Sequence, residues 1–149
     1  MSYSTKKNLS EEDLEILITK CNLLIEAKRF DEAQKEYQTV FSHLHQNLPL
    51  LNDKIVIRSY YNYAYVLYHT EKYNESIMYC NKGITYCTEH HYLYALGYLY
   101  FMLGRNFIKL HNKESAITHL QYAKMAYHLL KSEKNIKMTQ SLITQLKDS

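Results

Sequence analysis

The side chains of this 149-residue sequence that could do chemistry are eight histidines, three cysteines and a short run of acids. His43 with His45, and His90 with His91, are the pairs that invite a metal ion. Two histidines at i and i+2 point to different sides of a helix, and adjacent ones in a turn rarely converge on one ion without a third ligand. No H-E-x-x-H stands in the chain, so no metal site is expected, and His90 and His91 read as an inter-helix turn. Cys80 and Cys87, seven apart, read as small buried residues on one helix face, not as a nucleophile and its resolver. With Cys21 they make an odd number and contain no C-x-x-C, so a disulfide framework and a zinc ribbon are not indicated, and reduced thiols in a cytoplasm fit. Glu11, Glu12 and Asp13 cluster where a helix N-terminus favours acids. There is no G-x-S-x-G, no phosphate-cradling glycine loop and no carboxylate pair in an apolar stripe. The expectation is a protein without catalytic residues or cofactor, whose work is binding.

The elements that carry these residues are helices. Three Gly and one Pro are too few for the turns of a β sandwich or barrel, and the runs of Leu, Lys, Glu, Ala and Gln favour an all-α fold. At 46% hydrophobic residues the chain suits one compact domain over 10–149, preceded by a disordered polar segment, 1–9. No secretion signal or apolar run of membrane-spanning length is visible, which fits a cytoplasmic protein without membrane contact. A net charge of +3 is far from the basic stripe that gripping DNA requires. Ser10 with Asp13 resembles a capping box, and Asp31 and Asn74 are placed to cap later helices. The expected helices are 10–28, 31–47, 53–70, 74–89, 91–110, 113–130 and 134–147, giving pairs over 10–47, 53–89 and 91–130 and a cap over 134–147.

The pairs are near copies of one another. Lys28 to Tyr37 (KRFDEAQKEY), Lys72 to Asn81 (KYNESIMYCN) and Asn112 to Tyr122 (NKESAITHLQY) align on Ala33, Ser76 and Ala116, spaced by 43 and 40 residues. From each anchor a stripe runs at i, i+4 and i+7: Ala33, Tyr37, Val40; Ser76, Cys80, Gly83; Ala116, Leu120, Ala123. Tyr100, Leu103, Gly104, Phe107, Ala116 and Leu120 fit most fully the pattern W-x-x-L-G-x-x-Y, then A-x-x-x-F, and the chain resembles the tetratricopeptide repeat. The spacing exceeds the roughly 34 residues of that repeat, and Pro49 stands about one helical turn beyond its place in the pattern, so longer helices are expected. The resemblance implies a right-handed superhelix of about three hairpins with a closing helix, since solenoid ends need a cap. Tyr37, Tyr60, Tyr73 and Tyr100 are core by position in this scheme.

The run Tyr60 to Lys82 (YYNYAYVLYHTEKYNESIMYCNK), Tyr94 to Leu110 and the closing helix resemble a narrower group. It is the C-terminal sensor domain of the Gram-positive peptide-pheromone regulators (PlcR, NprR, Rap and Rgg), and within it the C-terminal part of PlcR. That resemblance implies a superhelix that binds a short signalling peptide and changes its dimer geometry, with DNA touched only through a separate helix-turn-helix domain. Nothing before Leu9 could hold such a domain, so the chain is expected to be an excised sensor, a standalone sensor or a protein partner. The alternative is a passive tetratricopeptide adaptor that holds another protein; dimerisation through Met138, Leu142 and Leu146 of the closing helix is a third possibility.

The same resemblance places a ligand groove on the first helix of each pair. From the first come Ile18, Asn22 and Ile25; from the second Arg58, Tyr61, Asn62, Tyr65 and His69; from the third Tyr98, Phe101, Met102, Arg105 and Lys109. Of these, Asn22, Arg58, Tyr61, Asn62, Tyr65, Tyr98, Phe101, Met102 and Arg105 are the peptide-binding candidates. Asn22 and Asn62 match family positions where an amide, both donor and acceptor, pairs with a ligand peptide bond. Arg58 or Arg105 would receive a carboxylate in its guanidinium fork, and Tyr61, Tyr65, Tyr98 and Phe101 would form pockets for apolar or aromatic side chains. The plainer readings stand beside these: solvated Asn and Arg on helix faces, and tyrosines that pack with a wet hydroxyl.

Overall fold

Every described residue of regular structure in the computed structural model, which covers residues 9–47 and 52–149, is helical. Seven helices are described: α1 (Glu11–Glu26), α2 (Phe30–Asn47), α3 (Asp53–His69), α4 (Tyr73–Glu89), α5 (Leu96–Lys109), α6 (Lys113–Leu129) and α7 (Glu133–Asp148). Of the segment 1–9 only Leu9 is described, and Pro49 lies outside the described residues. No described helix is long and apolar enough to cross a membrane.

The helix ends follow from local chemistry. Ser10 and Asp13 form the expected capping box, each side chain accepting the other's backbone N–H at 3.1 Å. Asp31 and Asn74 do not cap. Helices α2 and α4 start earlier, at Phe30 and Tyr73, so both residues lie inside the first turn, where Asp31 still meets the positive end of the helix dipole. Asn112 is a true cap, its Oδ1 accepting the Ser115 N–H at 3.1 Å.

Five helices stop in one way. Lys28, Glu71, His91, His111 and Lys131 adopt left-handed φ of 59°, 62°, 54°, 58° and 55°. The next amide then donates to a carbonyl five residues back: Arg29 to Leu24, Lys72 to Leu67, Tyr92 to Cys87, Asn112 to Phe107 and Ser132 to Tyr127, at 2.8 to 3.0 Å. This Schellman closure satisfies carbonyls that the helix end leaves unpaired, and it usually takes glycine at the left-handed position. After four of these closures the next helix begins at once. After His91 it does not. Helix α5 starts at Leu96 and not at residue 91, because Tyr92 is spent closing α4 and a turn from Leu93 to Leu96 (N–H to carbonyl, 3.2 Å) intervenes.

The chain divides into two compact units, one ending at Ser59 and the other running from Tyr60 to Ser149. In the first, Leu14, Ile18, Cys21 and Leu24 of α1 and Ala33, Tyr37, Val40 and Leu44 of α2 are buried. Each buried Leu or Val is worth about 1.5–3 kcal/mol. The exposed pair Lys20 to Glu36, at 2.8 Å, adds little by comparison.

In the second unit α4 packs on α5, α5 on α6 and α6 on α7. The anchors Ser76 and Ala116 are fully buried, as is Ala33 in the first unit, and all nine residues of the three repeated stripes are buried. Gly104 stands where the repeat pattern wants a small residue. A Cβ there would come within 2.6 Å of Leu120 Cγ, so α5 and α6 meet at a distance only glycine permits. Ser76 makes the middle copy polar: its hydroxyl donates to the Ala64 carbonyl at 2.7 Å and accepts from Asn106 Nδ2 at 2.9 Å. Asn106, fully buried, also donates to the Met102 carbonyl at 3.0 Å, while its Oδ1 has no partner among the described residues. Tyr37 and Tyr60 are buried as expected by position, whereas Tyr73 and Tyr100 are only half-buried.

Candidate functional site

Two helices of the second unit each have a buried stripe and, beside it, a more open aromatic shoulder. On α3, Tyr60, Tyr63, Ala64 and Leu67 are buried, while Tyr61, Asn62 and Tyr65 are half-buried and His69 is exposed. On α5, Leu99, Met102, Leu103 and Asn106 are buried. Tyr98, Phe101, Arg105 and Lys109, three or four residues apart and therefore on one face, remain half-buried or exposed.

The shoulders meet through aromatic rings. Tyr61 lies 6.4 Å from Tyr65 and, edge-on, 6.0 Å from Tyr98, which in turn meets Tyr127 of α6 edge-on at 5.6 Å. Edge-to-face contacts of this kind add about 0.5–1.5 kcal/mol each beyond burial. Asn135 of α7 donates to the Tyr98 hydroxyl at 3.5 Å. Tyr65 and Tyr68 lie 4.4 and 5.2 Å from the His69 ring, and the Arg105 guanidinium sits 4.4 Å over the Tyr68 ring. Behind these, Ala64, Cys80, Met102 and Leu103 form the buried cluster on which Tyr61, Tyr65 and Tyr68 pack.

Burial pushes the Tyr61 hydroxyl up to about 12, against a smaller opposite pull from the Arg105 charge. Tyr127 is raised by burial first and then by the phenols of Tyr98 and Tyr61. Phenols held this way stay protonated near neutral pH, so they donate and accept hydrogen bonds and do not serve as bases. His69 is held below the usual imidazole range by burial, and then by the charges of Arg105 and Lys109. The arrangement offers apolar walls, neutral hydrogen-bonding groups and a cationic end, which is equipment for non-covalent recognition of a mixed apolar and polar ligand.

Among the expected contact residues, Tyr61, Asn62, Tyr65, Tyr98, Phe101 and Arg105 come from the two shoulders. Met102 does not. It is 1% exposed, because the inner stripe of α5 takes it into the core, and it supports the aromatic face from behind. Ile18 is likewise a core residue of the first unit. Asn22 and Arg58 also belong to the first unit, where Arg58 is exposed and half-buried Asn22 accepts a long 3.4 Å bond from the Tyr37 hydroxyl. Tyr68, Tyr127 and Asn135 also join this face, and no local sequence pattern marks them, since their partners lie 37, 29 and 37 residues away.

The other reactive groups have packing environments. Cys21, Cys80 and Cys87 are fully buried, and burial raises their thiols, Cys21 to about 12 and Cys87 to about 11. His90 ends α4, stacked on Tyr86 at 3.9 Å, and His91 takes the left-handed turn position. Among the described residues no group of three or more His, Cys, Asp and Glu could hold a metal; the side chain of His45 falls outside that description.

Residues 3–144 match the RNPP family C-terminal domain. Among solved structures, Bacillus thuringiensis PlcR in complex with the peptide PapR7 and DNA is similar, with a TM-score of 0.71 and 20% sequence identity over 93% of this chain and 46% of that one. The chain thus spans less than half the length of that protein, and at this identity the likeness is one of fold, an all-α tetratricopeptide-like arrangement. No match is found among curated protein sequences.

Proposed function

The chain belongs to the RNPP family of C-terminal domains, and from that membership we propose that it is a sensor that binds a short signalling peptide and responds by changing its self-association or its partner. The observation that carries this reading is the run of partly open aromatic residues, Tyr61, Tyr65 and Tyr98, on the helices that also carry half-buried Asn62 and Arg105. Peptide backbones are held by amides and their side chains by aromatic walls, and both are on hand here. The solved PlcR carries a peptide and DNA together. For this chain, contact with DNA would come through another domain, and its place of action is the cytoplasm. Binding, not catalysis, is its activity.

A second reading has its own support. Tyr122, Met125 and Leu129 form an exposed apolar stripe at i, i+3 and i+7 of α6, and Met138 of α7 is also exposed, whereas Leu142 and Leu146 are half-buried. Such a patch suits a protein partner or a second copy.

A thermal-shift screen with peptides of five to seven residues encoded near the gene separates the two. A specific ligand at about 100 times its Kd stabilises by about 2.7 kcal/mol, roughly 5–10 °C for a chain of this size. Asn62→Ala is expected to weaken the response at least tenfold in Kd, about 1.4 kcal/mol, while the melting temperature of the free protein stays nearly unchanged. Silence across the screen supports the adaptor reading, and an unaltered affinity of the Asn62→Ala variant removes this face as the site.

A further inference from the structure

Arg105 and Lys109 lie one turn apart on α5 and share a face, and His69 ends α3. Tyr68 links the two helices, its ring lying 4.4 Å beneath the Arg105 guanidinium and 5.2 Å from the His69 ring. Among the described residues no carboxylate lies within ion-pair distance of Arg105 or Lys109, the ion pairs being Lys20 with Glu36 and Arg29 with Glu32. Glu71, two residues past His69 in the exposed turn, pairs with neither. Arg105 and Lys109, two cations beside aromatic walls with no carboxylate in ion-pair reach among the described residues, raise each other's energy. An arriving anion relieves that.

Resting on the peptide-sensor reading, we infer that His69, Arg105 and Lys109 form a subsite for one carboxylate of the ligand, either its end group or an acidic side chain, with Tyr61, Tyr65 and Tyr98 taking the adjoining apolar side chain. A guanidinium held over a ring face still has N–H groups for other partners, and two of them can make parallel bonds to a carboxylate. Lys109 supplies a compact exposed charge. His69 gives the subsite a pH response. Among the groups that face it are Tyr65 and Tyr68 from its own helix and Arg105 and Lys109 from α5, and burial with those two charges holds its pKa below the usual imidazole range in the free protein. A bound carboxylate cancels the field of Arg105 and Lys109 and accepts from the imidazolium, so the imidazole pKa rises in the complex and binding takes up a proton. By linkage, affinity for a carboxylate ligand grows as pH falls through the imidazole range.

The test uses three small probes titrated into the whole chain by NMR: acetyl-phenylalanyl-phenylalanine as the free acid, its C-terminal amide, and acetyl-aspartyl-phenylalanine amide. The free acid, or the aspartyl probe if the carboxylate comes from a side chain, binds about tenfold more tightly than the neutral amide. Arg105→Gln abolishes that preference, and Lys109→Gln, at an exposed site that cannot unfold the protein, reduces it severalfold. Lowering the pH from about 7.5 to about 5.5 strengthens binding of the acid and not of the amide, and His69→Gln removes the difference. Equal binding of acid and amide, unchanged by Arg105→Gln, overturns the subsite while the peptide reading stands on the aromatic face. Failure of all three probes to bind also overturns it, and the peptide reading then rests on its own screen with longer peptides.

Discussion

Replacing Asn106 tests the physical account of how α5 is held. Its Nδ2 donates to Ser76 Oγ at 2.9 Å and to the Met102 carbonyl at 3.0 Å, and its Oδ1 is buried with no partner among the described residues. Two donated bonds contribute about 0.5–1.5 kcal/mol each, and an unsatisfied buried acceptor costs about 1–3 kcal/mol. These nearly cancel. Asn106→Leu removes both at once, keeps similar volume and leaves the Ser76 hydroxyl donating to the Ala64 carbonyl, so stability should change by no more than about 1 kcal/mol. Asn106→Asp puts a charge in the same place with no donor to meet it, because the Ser76 proton is already committed, and should cost at least about 3 kcal/mol at neutral pH. The burial raises that carboxyl above its unfolded value, so the native state holds its proton longer. The variant is therefore closest to wild type below about pH 4 and loses stability as pH rises through the two pKa values. Urea midpoints, with unchanged slopes, read both changes. A loss above about 2 kcal/mol for Asn106→Leu, or an Asp variant indistinguishable from it at neutral pH, would refute the accounting.

The repeated left-handed turns give a second prediction. Glu71→Gly and Lys131→Gly should each stabilise by about 0.5–1 kcal/mol, whereas Lys35→Gly, in the middle of α2, should cost about 0.7–1 kcal/mol; thermal melts that rank all three as destabilising would contradict the turn assignment. The thiols give a third. Cys21, Cys80 and Cys87 ionise near their ordinary 9.0 when unfolded but are pushed up in the native state, as are the phenols of Tyr61 and Tyr127. The unfolded state then releases protons first, so stability is level below about pH 9 and falls above it. A flat urea midpoint between about pH 8 and pH 10.5 would count against this, as would alkylation of the native cysteines at the rate of a free thiol.

Much of the scaffold was legible because it is written locally. The three stripes at i, i+4 and i+7 select their own buried faces, and all nine residues are buried. The Ser10 capping box needs only four consecutive residues. The start of α5 was not legible, because His91 and His111 close helices by the same left-handed turn and nothing in either residue tells whether a helix or a second turn comes next. Met102 was misplaced for a related reason. Neighbours on a helix are 100° apart, so a shift of one position in the assumed stripe exchanges a residue that lines a face for one that supports it. Tyr68 beneath Arg105 is a contact across 37 residues, and only the packing of α3 with α5 reveals it.

That packing also says how a ligand on this face would be felt elsewhere in the second unit. Arg105 and Asn106 are consecutive, so the helix that presents the guanidinium outward is the one whose next side chain is tied inward to Ser76 of α4. Two residues before Asn106, Gly104 lets α5 sit against Leu120 of α6 with no space for a Cβ between them. Close-packed contacts transmit displacement and do not absorb it. If a bound carboxylate displaces the α5 backbone, and not the Arg105 side chain alone, the displacement either breaks the Asn106 to Ser76 bond or carries α4 and α6 along. The first costs about one hydrogen bond, and the second moves the exposed α6 stripe of Tyr122, Met125 and Leu129.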